Sequence, residues 1–115
     1  MSKKLVNNMF SIIDKRQFQR LSEVFCDDII YERPGYETIR GIEELIHFYK
    51  NVRIIILGEH LVDKVVAEQS SGASWGTFQG QDRDLADFKV RFSDCYTFEG
   101  KKVKTRITYF FKPAI

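Results

Sequence analysis

Residues 88–98, FKVRFSDCYTF, alternate between two kinds of side chain along their whole length. Because successive side chains of a β-strand point to opposite faces of a sheet, this alternation predicts a strand with one aromatic face and one polar face. The aromatic face carries Phe88, Val90, Phe92, Asp94, Tyr96 and Phe98. The predicted strand, 86–99, is far longer than the usual five or six residues or so. A strand of that length in a small domain must bend, which indicates a curved sheet.

The rest of the chain predicts the elements that accompany such a sheet. Apolar residues at helical spacing predict a helix over 3–14, a shorter second helix that ends at Asp27-Asp28, and a third helix over 42–49. Alternation predicts strands over 29–33, 53–68, 72–80 and 102–112, with Gly58, Gly76 and Gly80 available as bends. The order is therefore ααβαββββ. We expect an α+β fold: a cone-shaped, strongly curved antiparallel sheet with three helices packed on its concave face.

Length and composition limit the function classes. The 115 residues predict a single domain over 1–115, and the 14% aromatic content indicates a thick core, an aromatic-lined pocket, or both. The net charge of +2 predicts neither a nucleic-acid partner nor binding to an anionic membrane. No apolar run approaches the roughly 20 residues of a membrane span. Polar Asn7 and Asn8 stand where a signal peptide has its apolar stretch, so we expect a cytoplasmic protein.

The sequence contains no metal-binding or nucleotide-binding motif. Cys26 and Cys95 lack CxxC spacing and are expected to be free thiols, and His47 and His60 are too far apart to suggest a metal site. Glycine-rich phosphate-binding motifs and the Gly-x-Ser-x-Gly motif are absent from the sequence. We therefore expect no cofactor and no metal.

Asp94 is the strongest candidate for chemistry. It is the one carboxyl group on the aromatic face of the strand over 86–99. Burial among apolar groups favours the neutral acid, which can donate a hydrogen bond or a proton, unless a cation or several donors compensate. The alternative is an Asp paired with a buried Arg or Tyr that only holds the sheet together.

Two arginines are candidate partners for Asp94. Arg106 lies on the neighbouring predicted strand and shares one face with Thr108 and Phe110, whereas Arg33 shares a face of an earlier strand with Tyr31. An inward-facing guanidinium is expected to be paired or to bind an anionic or carbonyl ligand. For each arginine, a solvated surface position is the alternative.

Other candidates are a histidine and several aromatic residues. His60 titrates near neutrality when unperturbed and is a candidate base, with a structural hydrogen-bonded role as the alternative. Trp75 and Phe78 point to opposite faces of one predicted strand, so at most one of them lines a given pocket. Four tyrosines could each present a hydroxyl group to a pocket: Tyr31, Tyr36, Tyr96 and Tyr109.

The element order and several segments resemble the SnoaL-like branch of the nuclear transport factor 2-like superfamily. The resembling segments are 24–28, 31–35, 39–41, 92–98 and 100–103, followed by Arg106 and Tyr109-Phe110. This superfamily includes ketosteroid isomerases, polyketide cyclases and limonene epoxide hydrolase. The resemblance implies the cone fold for nearly the whole chain, and it implies a function less directly because one fold carries many functions.

The resemblance also relates individual residues of this chain to functional positions of the family. Asp94 falls on the oxyanion-binding Asp of ketosteroid isomerases, but their general-base Asp falls on Arg33 and their oxyanion Tyr on Met9. The terminal Asp of the epoxide hydrolase set falls on Thr108. What the resemblance implies is the polyketide cyclase type of chemistry, in which an acid in an apolar pocket acts on an already reactive substrate. It further implies that Arg106 and Thr108 lie on the pocket side.

Three hypotheses follow. The first is a cofactor-independent isomerase, cyclase or hydratase acting on a small apolar or aromatic molecule, with Asp94 as acid or base and Arg33, His60 and a tyrosine assisting. Its substrate-binding candidates are Tyr31, Trp75, Phe78, Tyr96, Arg106, Thr108 and Phe110. The second is a ligand-binding module without catalysis. The third is a homodimeric interaction domain, because the apolar stripe Ile107, Tyr109 and Phe111 needs a cover if the opposite face lines the cone.

Overall fold

Six strands form one curved sheet that does not close on itself. In the computed structural model, which describes residues 2–111, they are β1 Phe25–Glu32, β2 Ile39–Arg40, β3 Ile55–Ala67, β4 Ser71–Asp82, β5 Asp87–Glu99 and β6 Lys102–Phe110. Their order across the sheet is β2-β1-β6-β5-β4-β3. The four long strands that were predicted after Asn51 are confirmed as β3 to β6. Lys112, the predicted end of the last strand, lies outside the described residues.

The sheet is mixed, which corrects the expectation of an antiparallel one. β3, β4, β5 and β6 follow one another as antiparallel hairpins, but β6 pairs with β1 in parallel, Tyr31 opposite Arg106. The long crossover between β1 and β6 includes a helix and three hairpin strands, which is the kind of connection that parallel pairing needs. Alternation shows which side chains share a face, but it carries no information about the direction of the partner strand.

Helix α1, Ser2–Asp14, confirms the first predicted helix. Its buried side chains recur at helical spacing on one face: Val6, Met9, Phe10, Ile12 and Ile13. This face packs on the sheet and contacts β3. No helix within residues 2–111 is long and apolar enough to cross a membrane.

The second predicted helix is shorter than expected. It is a 3-10 helix over Phe18–Glu23, and β1 already begins at Phe25. Phe25 is opposite Val103 of β6, and the main-chain N–H of Val103 donates to the carbonyl of Val24 at 2.8 Å. Pairing with β6 therefore overrides the helical spacing of the apolar residues before Asp27.

Helix α2, Ile42–His47, continues as a π-helical turn over Phe48–Val52, and together they account for the third predicted helix. Gly41 precedes it with φ 88°, a conformation that favours glycine. Glu43 and Glu44 lie in the first turn, where acidic side chains complement the helix dipole. The π-turn directs Phe48 and Tyr49 into the core.

The bend between β3 and β4 depends on glycines. The register shifts between Ile55 and Leu57 and again between Val62 and Lys64. A Cβ at Gly76 would overlap the carbonyl of Leu61, so only glycine allows this close approach of the two strands. The curved sheet and its helices enclose an interior filled with aromatic and aliphatic side chains.

Candidate functional site

Asp94 lies on β5 and faces the interior, between Ser74 of β4 and Thr108 of β6. It is 0% exposed. Its carboxylate accepts hydrogen bonds from Arg106 Nη2 at 3.1 Å, from the Tyr96 hydroxyl at 3.2 Å and from Thr108 Oγ1. Three donors, one of them charged, therefore satisfy the oxygens of this buried carboxyl group. Of the two sequence-based alternatives for Asp94, the structure shows the compensated one.

Arg106 is the cation of this ion pair, which confirms its predicted approach to Asp94. Its Nη1 donates to the Tyr49 hydroxyl at 2.9 Å, and its guanidinium lies 4.8 Å from the centre of the Tyr31 ring. Burial by itself lowers the pKa of Arg106, but the Asp94 carboxylate and the surrounding tyrosines raise it well above its ordinary value. The guanidinium is therefore charged at neutral pH.

A directional chain of hydrogen bonds runs from Arg33 to Asp94. Arg33 Nη1 donates to the Tyr31 hydroxyl at 3.1 Å, and the Tyr31 and Thr108 hydroxyls are 2.8 Å apart. Because Thr108 gives its single proton to Asp94, Tyr31 must donate to Thr108. Burial raises the pKa of Tyr31, but Arg106 and Arg33 outweigh it and the net pKa is lowered. The order of donation is Arg33, Tyr31, Thr108, Asp94.

Tyr96 forms a second branch of the same network. Because its hydroxyl donates to Asp94, it accepts from Ser74 Oγ at 2.8 Å. Burial and then the Asp94 charge raise the pKa of Tyr96 well above its ordinary value. Tyr96 therefore stays protonated and serves as a fixed donor to Asp94.

His60 belongs to a separate pair with Asp14, the last residue of α1. The Asp14 carboxylate lies 2.6 Å from His60 Nδ1 and also accepts the main-chain N–H of His60 at 2.8 Å. The imidazole stacks on Phe78, with ring centres 4.2 Å apart, and contacts Phe10 and Phe92. Burial lowers the pKa of His60, and the Asp14 carboxylate only partly offsets this effect. The neutral imidazole donates from Nδ1 to Asp14, which leaves Nε2 as a proton acceptor.

The predicted substrate-binding residues do not all lie on the same face of the sheet. Tyr31, Phe78, Tyr96, Arg106 and Thr108 are buried inside the sheet and its helices, and Phe110 is half-buried against the Arg33 guanidinium at 5.1 Å. Trp75 is a correction, because the buried residues of β4 are Ser74, Gly76 and Phe78, and Trp75 therefore lies on the opposite, outer face beside Ser93.

Two residues of the interior were missed from the sequence. Asp14 is the partner of His60, and an acidic residue at the carboxyl end of a helix, where the dipole disfavours it, was the available signal. Arg53 is buried beside Tyr49 and Phe78, and its position at the start of the predicted strand over 53–68 gave no sign of this.

The surface grooves formed by residues 2–111 include the following two. One of about 520 Å³ is lined by Asp14, Gly58, Gly80, Phe88 and others from β3, β4 and β5. A second of about 730 Å³ lies between the start of α1 and the β3–β4 and β5–β6 turns. Among residues 2–111, Asp94 borders neither groove, whereas Asp14 borders the first. The same residues contain no group of three or more His, Cys, Asp or Glu side chains that could hold a metal ion.

The curved, unclosed sheet with its helices is a nuclear transport factor 2-like fold. The profile of the SnoaL-like domain matches residues 6–106. The chain belongs to the SnoaL-like domain family.

Solved structures show the same fold. A nuclear transport factor 2-like protein of unknown function from Burkholderia pseudomallei has a TM-score of 0.85 and 16% identity, with 94% of this chain and 88% of that chain covered. An epoxide hydrolase from Mycobacterium tuberculosis, similar to limonene epoxide hydrolase, has a TM-score of 0.80 and 15% identity, with 93% and 76% covered. A hypothetical protein with a ketosteroid isomerase-like fold from Catenulispora acidiphila has a TM-score of 0.83 and 14% identity, with 91% and 83% covered. Comparison with curated proteins finds no matching sequence. At these identities the structures show the shared fold alone.

Replacing Asp94 by Asn tests the buried ion pair. We expect the free energy of unfolding to fall by about 3 kcal/mol or more, because Arg106 is left buried without its counter-ion. Asp63→Asn, in the exposed pair with Arg91, is the matched control and should cost less than about 1 kcal/mol. Chemical denaturation measures both, and equal effects would contradict the assignment. Asp94→Leu combined with Arg106→Met should regain part of the loss.

The His60 environment predicts a pH dependence. The pKa of His60 is lowered from 6.5, so the unfolded chain binds this proton more readily than the folded protein does. Stability is therefore complete above about pH 6.5 and falls as the pH drops toward the folded pKa. An NMR titration of the His60 ring should give a midpoint below 6.5, and Asp14→Asn should lower it further because Asp14 raises it. His47→Gln assigns the two histidine signals. A midpoint above 6.5 would refute this description.

Proposed function

We propose that the chain is a small cofactor-independent enzyme of isomerase, cyclase or hydratase type acting on a small apolar or aromatic molecule. The observation that carries this proposal is the His60–Asp14 pair, in which one carboxylate fixes both the ring and the main chain of a neutral histidine. A histidine held in this way accepts a proton at Nε2, and the carboxylate stabilises the imidazolium that forms. Asp14 borders the groove of about 520 Å³, so this pair is the one nearest to an open surface.

The aromatic wall around His60 supports the proposed substrate class. Phe10, Phe78 and Phe92 present ring faces and edges to the imidazole. These rings are themselves buried, so a flat apolar substrate must displace part of this packing before its acidic C–H or O–H group comes within reach of the base. Exclusion of water by the same rings keeps His60 neutral and able to act as a base near pH 7.

Asp94 enters this proposal as an acid/base group that acts through a relay. A concerted shift moves the Tyr31 proton to Thr108 and the Thr108 proton to Asp94, which leaves an oxyanion on Tyr31 and a neutral Asp94. The Arg33 and Arg106 guanidiniums lower the pKa of Tyr31 and stabilise that oxyanion. Tyr31 can then take a proton from the substrate. When Tyr31 later gives a proton to the product, the reverse shift from Asp94 through Thr108 replaces that proton and restores the Asp94 carboxylate. Because the surrounding side chains fill the space at Asp94, a substrate must displace them to reach Tyr31.

Proton abstraction in heavy water tests the enzyme proposal without knowledge of the substrate. A panel of aromatic ketones and aromatic keto acids is incubated with the protein in D₂O, and loss of the C–H signals next to the carbonyl is followed by NMR. We expect exchange that His60→Gln reduces by about a hundredfold or more. His47→Gln, at an exposed histidine, should leave the rate unchanged.

Two results would contradict this proposal. Equal exchange by the wild type and His60→Gln would exclude His60 as the base. Binding of panel members with no exchange by any variant would favour the second hypothesis, a ligand-binding module of the same fold. Loss of exchange in Asp94→Asn, with His60 intact, would support the relay through Tyr31.

The outer face of the sheet favours a homodimer as a second candidate function. Tyr109 is 52% exposed and Phe111 is 85% exposed, and Trp75 and Ile107 lie on the same face half-buried. Exposed apolar patches of this kind mark protein interfaces. A second copy of the chain placed on this face would cover it in a symmetric interface.

Light scattering tests the dimer. We expect a molar mass of twice 13.5 kDa for the wild type. Tyr109→Lys with Phe111→Lys should give the monomer mass, because two charges would be buried in the interface. Leu85→Lys is the control, since Leu85 is an exposed apolar residue in the turn between β4 and β5. A wild-type mass of one chain would contradict the proposal.

The remaining expectations stay predictions from the sequence. They are the single domain over 1–115, the cytoplasmic location, the lack of a cofactor, and the lack of nucleic-acid and membrane partners. The net charge of +2 supports the last of these.

A further inference from the structure

Arg53 is a buried cation for which the described residues supply no counter-ion. It follows the π-helical turn Phe48–Val52, which places its side chain inside the molecule, and it is 3% exposed. Within residues 2–111 its guanidinium forms no ion pair, and its Nε has no hydrogen-bond partner. The rings of Tyr49 and Phe78 are its main neighbours, with their centres 4.8 and 6.0 Å from Arg53 Cζ.

The carboxylates nearest to the interior are already engaged. Asp94 is paired with Arg106, and Asp14 is held by His60. Burial lowers the pKa of Arg53 to about 10, so the side chain remains charged at neutral pH. The nearby charges of Arg33 and Arg16 are positive and act in the same direction as burial. This part of the interior therefore has an excess of positive charge, which aromatic faces only partly stabilise.

Arg53 also connects the two acid/base systems of the interior. Tyr49, whose ring lies under Arg53, accepts a hydrogen bond from Arg106 of the Asp94 network. Phe78, the other ring, stacks on His60. A negatively charged group at Arg53 would therefore lie one aromatic ring away from each candidate base. A guanidinium offers a planar set of donors that fits a carboxylate.

We propose that Arg53 is an anion-binding residue of the interior and that the molecule bound beside it carries a carboxylate, or an equivalent oxyanion, on an aromatic or apolar body. The proposal rests on the proposed function only in taking the interior as the ligand site, and it adds the charge of the ligand. The carboxylate completes the missing ion pair, while the rings of Tyr49 and Phe78 contact the apolar body. A bound anion pairs with the Arg53 charge, whereas a neutral analogue leaves that charge unpaired. This difference in binding free energy selects the anion.

Benzoate and benzamide are the probes, because they share shape and differ in charge. Isothermal titration on the full chain should show benzoate binding that is tighter than benzamide binding by about tenfold or more, as expected for a charge-assisted pair. Arg53→Gln should abolish this preference. Arg40→Gln, at an exposed arginine, should retain it. Equal affinity for the two probes, no benzoate binding at millimolar concentration, or an unchanged preference in Arg53→Gln would each overturn the proposal.

Thermal unfolding gives a second readout, which does not require a measured affinity. Without ligand, Arg53→Gln should have a higher melting temperature than the wild type, because it removes an unpaired buried charge. Benzoate should raise the melting temperature of the wild type and not that of Arg53→Gln. A lower melting temperature for Arg53→Gln would contradict the description of Arg53 as uncompensated. If benzoate binds but no member of the ketone and keto acid panel exchanges protons, the enzyme proposal is refuted and the anion-binding proposal stands. If neutral ketones exchange protons but benzoate does not bind, the anion-binding proposal is refuted and the enzyme proposal stands.

Discussion

The buried ion pair between Asp94 and Arg106 organises the interior of this protein. Both side chains are removed from water, so each is tolerable only while the other is present. Their remaining hydrogen-bonding capacity fixes the hydroxyl groups of Tyr49, Tyr96 and Thr108 in a single arrangement. Apolar residues of similar volume would fill the same space at lower electrostatic cost. Local departures of this kind from the most stable packing are typical of functional sites.

Arg106 and Arg53 are both buried cations, but their charges are compensated to different extents. Arg106 is neutralised and hydrogen-bonded, whereas Arg53 is stacked on aromatic rings without an ion pair among residues 2–111. His60 is kept neutral by burial and oriented by Asp14. The Asp94–Arg106 pair thus makes a compensated frame, and the roles that we propose for His60 and Arg53 lie at its edges. A buried polar group whose charge and hydrogen bonds are already satisfied gains little free energy from a ligand, whereas an unsatisfied one can gain more.

The sequence predicted the helices and strands better than the contacts between them. Periodicity placed α1 and the four long strands correctly, and alternation put Asp94 on an inward face. It could not show that β1 runs parallel to β6, because strand direction leaves no mark on the alternation of side chains. Asp14 and His60 are 46 positions apart in the chain, and their pairing depends on how α1 crosses β3. Trp75 was assigned to the site by its aromatic character, although the parity of β4 turns it outward.

The closed packing around Asp94 bears on where chemistry takes place. Asp94, Tyr31 and Arg106 are buried under side chains that would have to move for a substrate to reach them, whereas the Asp14 end of the His60 pair borders an open groove. An enzyme built on this frame would bind its substrate from the His60 side and use the Asp94 network through Tyr31, at the far end of the relay from Asp94. Such an arrangement keeps the ion pair dry, and dryness is what gives the charges of Arg33 and Arg106 their effect on the Tyr31 hydroxyl. Opening the interior widely would weaken the same charges by solvating them, so the geometry favours a small substrate that enters without exposing Asp94.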